Sequence, residues 1–192
     1  MPDDHLGRRL LALARHAIAE RLGLAPADPQ LDDNALRRPG ASFVTLLCGE
    51  ALRGCIGSLL ATRALAVDVR ENALAAAFRD PRFAPLSLTE FATLSIEVSL
   101  LSRPQPALFA TEADLLARLV PGVDGLALEL GEHRATFLPQ VWETLPDPRD
   151  FVAALKAKAG LPEGFWSSRL NVSLYRVTKW KERELLSDQT AS

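Results

Sequence analysis

The sequence predicts an α+β fold built on an antiparallel sheet. Two observations carry this. Strand-like segments come in pairs around short glycine-containing turns, at Gly49-Glu50 and Gly131-Glu132. Helical segments separate those pairs without the strand–helix–strand rhythm of a parallel sheet. A third observation sets the scale: 192 residues with 48% hydrophobic and 24% charged side chains can bury a core as one domain, residues 1–192, without disulfides or metals.

The elements follow in order. Leu6 to Leu22 reads as an amphipathic helix, with Leu6, Leu10, Leu13, Ala14, Ala17, Ile18 and Leu22 on one face and Gly23 at the C-cap. Residues 25–40, with Pro26, Pro29, Pro39 and Gly40, read as a surface connection. Ser42 to Ser58 reads as a β-hairpin turning at Gly49-Glu50, in which partner numbers sum to 99, so that Leu46 faces Arg53 and Val44 faces Cys55. A second helix runs from Thr62 to Arg79, stopped by Pro81 and Pro85. Ser87-Leu88-Thr89-Glu90 has the capping-box pattern of a short helical turn. Leu94 to Leu101 alternates, with Ile96, Val98 and Leu100 on one face and Ser95, Glu97 and Ser99 on the other, and is a strand. Thr111 caps a third helix to Val120. Leu126–Leu130 and His133–Leu138 make the second hairpin. Asp147 and Pro148 open a fourth helix, with Lys156 and Lys158 in its last turn and Gly160 beyond. Leu170 to Trp180 is the final strand, and residues 182–192 are a polar tail expected to fray.

Several function classes are disfavoured. A net charge of -2 is not the footprint of a nucleic-acid binder. No apolar run approaches the ~20 residues that span a bilayer, so no membrane role is expected. Met1-Pro2-Asp3-Asp4 is acidic where a signal peptide is basic, so a cytoplasmic location with reduced thiols at Cys48 and Cys55 is expected. The glycine-rich phosphate and dinucleotide motifs are absent. His5, His16 and His133 are not paired at ligand spacing, and no zinc or iron–sulfur ligand set is supplied. No metal or cofactor is expected.

The segment Leu52-Arg53-Gly54-Cys55-Ile56-Gly57 is the leading candidate site. Two glycines in a short strand mark a bulge or a close approach to the backbone. Parity places Arg53, Cys55 and Gly57 on one face with Val44, Leu46 and Cys48, and both faces are apolar enough to be covered. An arginine on a covered face requires an anion, either an internal carboxylate or a ligand, and a thiol beside a guanidinium is more reactive. The alternative is purely structural: Cys55 as a small core residue, Arg53 on an internal acid, the glycines shaping a bend. Asp80-Pro81-Arg82-Phe83 ends the helix after the hairpin and can lie near Cys55, or can be an ordinary helix stop with an exposed ion pair. Glu97 is either a site residue or an outward solvated one. Asp80 and Glu97 are the expected internal partners of Arg53.

Taken together, these segments resemble the AMMECR domain family, the AmmeMemoRadiSam system protein A. The resemblance rests on Phe43-Val44-Thr45-Leu46, the hexapeptide at 52–57, Asp80-Pro81-Arg82-Phe83-Ala84-Pro85-Leu86 and Ser95-Ile96-Glu97-Val98-Ser99. Phe137-Leu138-Pro139-Gln140-Val141 and Lys158-Ala159-Gly160-Leu161 continue it, from about residue 6 to residue 182. One departure is Gly131-Glu132-His133-Arg134-Ala135-Thr136, where the family carries a glycine-rich stretch. The resemblance implies a larger lobe with both termini, a smaller mostly helical lobe at about residues 60–93, and a cleft between them lined by the hexapeptide. It implies Memo-type and radical-SAM partners but names no reaction. The expected ligand-binding residues are Arg53, Gly54, Gly57, Asp80, Arg82, Glu97 and Gln140, with a small anionic ligand. The expected role is a ligand-binding or accessory component. Alternatives are an enzyme with Cys55 as nucleophile and Arg53 binding an anionic substrate, and a pure protein-interaction module.

Overall fold

The computed structural model describes residues 4–24, 34–162 and 164–187. The chain divides into two compact units, residues 1–101 with 178–192, and residues 102–177. Both chain ends, and residues 60–93, fall in the first unit.

In the first unit, α1 (Asp4–Arg21) buries Leu10, Ala14, Ala17 and Ile18 along the stripe that its periodicity marks. Gly23 ends it at a φ of +79°, a conformation that costs a glycine little. Residues 25–33 of the expected connection lie outside the described residues. The remainder is structured, because Leu36 is buried within α2 (Asn34–Arg37) and Pro39 already opens a strand.

That strand, β1 (Pro39–Cys48), is central. It pairs antiparallel with β2 (Ala51–Gly57) on one side and β4 (Leu94–Leu101) on the other. The turn between β1 and β2 carries Gly49 at a φ of +65°. A two-residue β3 (Arg63–Ala64) pairs with the start of β1, so the following helix α3 (Leu65–Phe78) begins later than its sequence pattern suggests. Leu65, Val69, Ala73, Ala76 and Ala77 of α3 join Val44, Leu46, Ile96 and Val98 of the sheet in one core. The capping box at Ser87–Glu90 forms as expected and starts α4 (Leu88–Phe91).

The last strand, β8 (Asn171–Lys181), contributes residues from Thr178 onward to this unit. The expected fraying tail begins instead as α7 (Glu182–Ser187). Glu182 anchors it, accepting from Arg15 Nε and Nη2 at 2.6 Å and from the Ile96 N–H at 2.8 Å.

The second unit is built from β5 (Gln105–Ala107), α5 (Glu112–Arg118), β6 (Asp124–Leu130), β7 (His133–Phe137), a 3₁₀ turn (Pro139–Glu143), α6 (Pro148–Lys158) and the first part of β8. β6 lies between β7 and β8, again antiparallel. Its core stacks Trp142 on Phe151 at 3.8 Å, with Leu126, Leu128 and Leu155 around them. Lys156, expected only as a helix-end cation, is buried and bonds Glu112 at 2.9 Å, since an interior ammonium needs a carboxylate partner. The fold class read from the sequence, α+β with antiparallel strands, is the one observed.

Candidate functional site

The hexapeptide strand β2 is where the structure departs most usefully from simple parity. Cys48↔Ala51 and Leu47↔Leu52 follow the expected register, but Leu46 pairs with Gly54, Thr45 with Cys55, Val44 with Ile56 and Phe43 with Gly57. Arg53 is the extra residue of a bulge between Leu46 and Leu47. One inserted residue flips the faces of everything beyond it. Cys55 and Gly57 therefore share a face with Thr45 and Phe43 rather than with Val44 and Leu46. Cys48, packed against the core, is on the opposite face from Cys55.

Both glycines sit at close approaches, as their positions suggested. A Cβ at Gly54 would lie 2.2 Å from the carbonyl oxygen of Ala76 in α3, and one at Gly57 would lie 2.2 Å from the Phe43 ring. The neighbours are internal: a helix backbone and an aromatic ring.

Arg53 is a pinned residue. Its Nε donates to Glu90 Oε1 at 2.6 Å, and Nη2 donates to Ala84 O at 2.8 Å and to Glu90 Oε2 at 3.3 Å. The Phe83 ring lies 5.6 Å from its guanidinium carbon. Its side chain is only 11% exposed, and Nη1 is buried without a partner. The acid on Arg53 is thus neither Asp80 nor Glu97. It is Glu90, which also accepts from the Ser87 N–H at 2.9 Å and the Ser87 hydroxyl at 2.8 Å. Arg53 first, then Ser87, hold the Glu90 carboxyl down at about 2. The Ser87-x-x-Glu90 capping box was visible in the sequence, but a local motif carries no sign of its long-range arginine.

Asp80 has a different task. β2 is an edge strand, and the bond from Ser58 N to Ser42 O fixes which β2 groups face β1. By alternation the N–H and C=O of Cys55 face outward. The buried Asp80 carboxylate accepts the Cys55 N–H at 3.0 Å, and Arg82 Nη2 donates to Cys55 O at 3.3 Å. Arg82 also grips Asp80 at 3.0 and 2.7 Å. Asp80 and Arg82 together stand in for one residue of a neighbouring strand, covering an edge that would otherwise invite pairing. The Arg82 guanidinium, with the Cys55 and Arg82 N–H groups, holds the Asp80 carboxyl well below the usual carboxylate range despite its burial.

Across the sheet, Cys55, Thr45 and Glu97 form one row, because Thr45 pairs with Cys55 on one side and with Glu97 on the other. Thr45 Oγ1 lies 3.4 Å from Cys55 Sγ, and Glu97 lies 3.4 Å from Lys179 Nζ. A pocket of about 280 Å³ opens beside Glu97, lined by Leu47, Glu50, Ser95, Glu97, Lys181, Arg183 and Glu184. Thr45 carries no signature that separates it from any other strand threonine, so only the bulge reveals it. Gln140 is exposed on the 3₁₀ turn of the second unit, whereas the other expected site residues all belong to the first. Among the described residues no group of three or more His, Cys, Asp or Glu side chains could hold a metal ion, and no helix is long and apolar enough to cross a membrane.

Comparison with known proteins supports the resemblance. The AMMECR1 family pattern matches residues 11–180. A protein of Saccharolobus solfataricus is 37% identical over 94% of this chain and 83% of its own length. One of Thermofilum pendens is 36% identical over 83% of this chain and 81% of its own. The crystal structure of an uncharacterised protein from Pyrococcus horikoshii superposes with a TM-score of 0.74 at 32% identity, covering 92% of this chain and 91% of that one.

Proposed function

We propose that this chain, which belongs to the AMMECR1 family, is a ligand-binding accessory component working with Memo-type and radical-SAM partners. The Cys55–Thr45–Glu97 row and the pocket beside it are its binding face. One observation carries this reading. Three charged side chains hold the hexapeptide from elsewhere: Glu90 on its Arg53, and Asp80 with Arg82 on the strand edge. None of these bonds uses the thiol, the Thr45 hydroxyl or the Glu97 carboxylate. The charged framework fixes the strand, and the row is left to meet a small charged ligand. In this reading Arg53, Gly54 and Asp80 are positioning residues, Gly57 makes room for the Phe43 ring, and Arg82 presents the exposed part of its guanidinium beside Cys55. Gln140 has no assigned part.

The test is co-expression of the tagged full chain with a Memo-type and a radical-SAM protein of the same genome, together with a thermal-shift screen of small charged metabolites. Retention of a partner, or stabilisation by a ligand that Glu97→Gln removes, supports the reading. Failure of both rejects it.

A second reading, an enzyme with Cys55 as nucleophile, is favoured by the Thr45 hydroxyl at 3.4 Å, which can donate to a thiolate. Its test is the pH profile of alkylation at Cys55. A profile matching free cysteine rejects the nucleophile and leaves the binding role intact.

A further inference from the structure

The pocket beside Glu97 is lined by charges of both signs, of which one pair, Lys181 and Glu184, is closed within it. Lys181 is neutralised by Glu184 at 2.7 Å. Arg183 instead donates from Nη2 to the Gly49 carbonyl at 2.5 Å, a neutral acceptor, and among the described residues it has no ion pair. Glu50, next to Gly49 on the hairpin turn, has no ion pair among the described residues either. Among the described residues Glu97 has one ion pair, to Lys179 at 3.4 Å, and also feels the Lys181 ammonium, which Glu184 already holds. An uncompensated guanidinium and two loosely held carboxylates thus line one pocket, and the guanidinium is tethered by a backbone carbonyl rather than by either acid. Leu47 and Ser95, paired across β1 and β4, supply an apolar and a small polar surface.

The volume, about 280 Å³, lies just below the ~300 Å³ at which drug-sized sites begin, so the ligand is small. A ligand of one charge would satisfy half the lining and face repulsion from the other half. A ligand with both charges satisfies each.

We propose that this pocket binds a small zwitterion, an amino-acid-sized molecule whose carboxylate meets Arg183 and whose ammonium meets Glu50 and Glu97, with its apolar body on Leu47. This deepens the binding role proposed above and rests on it. Orientation follows from the same arrangement: the ammonium end lies toward Glu97, and hence toward the Thr45 and Cys55 row.

The experiment uses the full chain, ¹⁵N-labelled, titrated with three probes of one carbon skeleton. These are L-leucine (both charges), leucinamide (ammonium only) and N-acetyl-leucine (carboxylate only). Saturable shifts at the amides of Leu47, Glu50, Glu97 and Arg183 with L-leucine, and binding at least about tenfold weaker for each singly charged probe, are expected. Arg183→Gln should abolish the preference for L-leucine over leucinamide, and Glu50→Gln should weaken L-leucine while sparing N-acetyl-leucine. Equal or tighter binding of a singly charged probe at these residues overturns the zwitterion assignment and leaves the binding role standing. No shift at these residues with any probe overturns the pocket as a ligand site, while the partner experiment continues to test the broader reading.

Discussion

Arg53→Ala separates an anchoring arginine from a ligand-binding one, and its magnitude follows from the contacts. The change removes a charged pair to Glu90, with bonds of 2.6 and 3.3 Å, and a 2.8 Å bond to Ala84 O. Hydrogen bonds to charged groups contribute ~1.5–3 kcal/mol, and the Ala84 bond adds ~0.5–1 kcal/mol. Against this, the buried, unpartnered Nη1 disappears, recovering ~1 kcal/mol of desolvation. The partner left behind is not stranded: Glu90 is 36% exposed and keeps two bonds to Ser87. The loss should therefore be about 2 kcal/mol, short of the ~3–5 kcal/mol of an orphaned buried charge.

The pH dependence adds a second readout. The folded Glu90 carboxyl is held at about 2, below its ordinary ~4.3. A depressed carboxyl stabilises the fold above the unfolded value, and that stability is lost as pH falls from ~4.3 toward about 2. The gap between wild type and Arg53→Ala in urea melts should be widest near neutrality and shrink across that interval. In the variant, the NMR titration midpoint of Glu90 should move up toward ~4.3. A gap below about 0.5 kcal/mol at pH 7, or above about 4 kcal/mol, or one that does not shrink in acid, would refute the account of Arg53 as an anchor to a half-exposed acid.

Other expectations are equally direct. Arg53→Lys should cost ~1 kcal/mol, since an ammonium cannot span both Glu90 and Ala84 O, and a double-mutant cycle with Glu90→Gln should recover most of the coupling. Gly54→Ala should destabilise by ~3 kcal/mol in denaturant melts, because its Cβ would collide with the Ala76 carbonyl rather than with a movable side chain. Asp68→Ala should cost ~3 kcal/mol in the same assay. Its fully buried carboxylate accepts the Ser42 N–H and hydroxyl at 2.8 and 2.7 Å, Asn72 Nδ2 at 2.9 Å and Arg63 Nε at 2.9 Å, and all four would lose that acceptor. Cys55→Ser should stay within ~1 kcal/mol of wild type, because the half-exposed sulfur makes one weak bond. Thr45→Val should slow alkylation of Cys55 without changing that of Cys48, which lies on the other face of the hairpin; equal effects at both cysteines would contradict the register.

Much of this protein is written locally in its sequence. The stripes of α1 and α3, the alternation from Leu94 to Leu101, the glycine-first turn at Gly49, the capping box at Ser87–Glu90 and the proline-opened α6 each depend on residues within a turn or two of one another. Periodicity and cap chemistry suffice to find them, though the start of α3 is set by the pairing of β3 with β1. The glycines of the hexapeptide even signal an irregular strand. Three things needed distant partners. The bulge falls at Arg53 because α3 brings the Ala76 carbonyl against Gly54 and α4 brings Glu90 to the guanidinium, and no window around residue 53 contains either. The Cys55–Thr45–Glu97 row exists only once that extra residue has turned Cys55 to the other face. Asp80 belongs to the edge of β2, rather than to Arg53, because it accepts the outward Cys55 N–H, while Arg82 donates to the Cys55 C=O. Local order is set by short-range sterics and hydrogen bonding. Register, face and ion-pair partner are set by which backbone and charged groups must be satisfied once the elements pack, and sequence distance does not encode that.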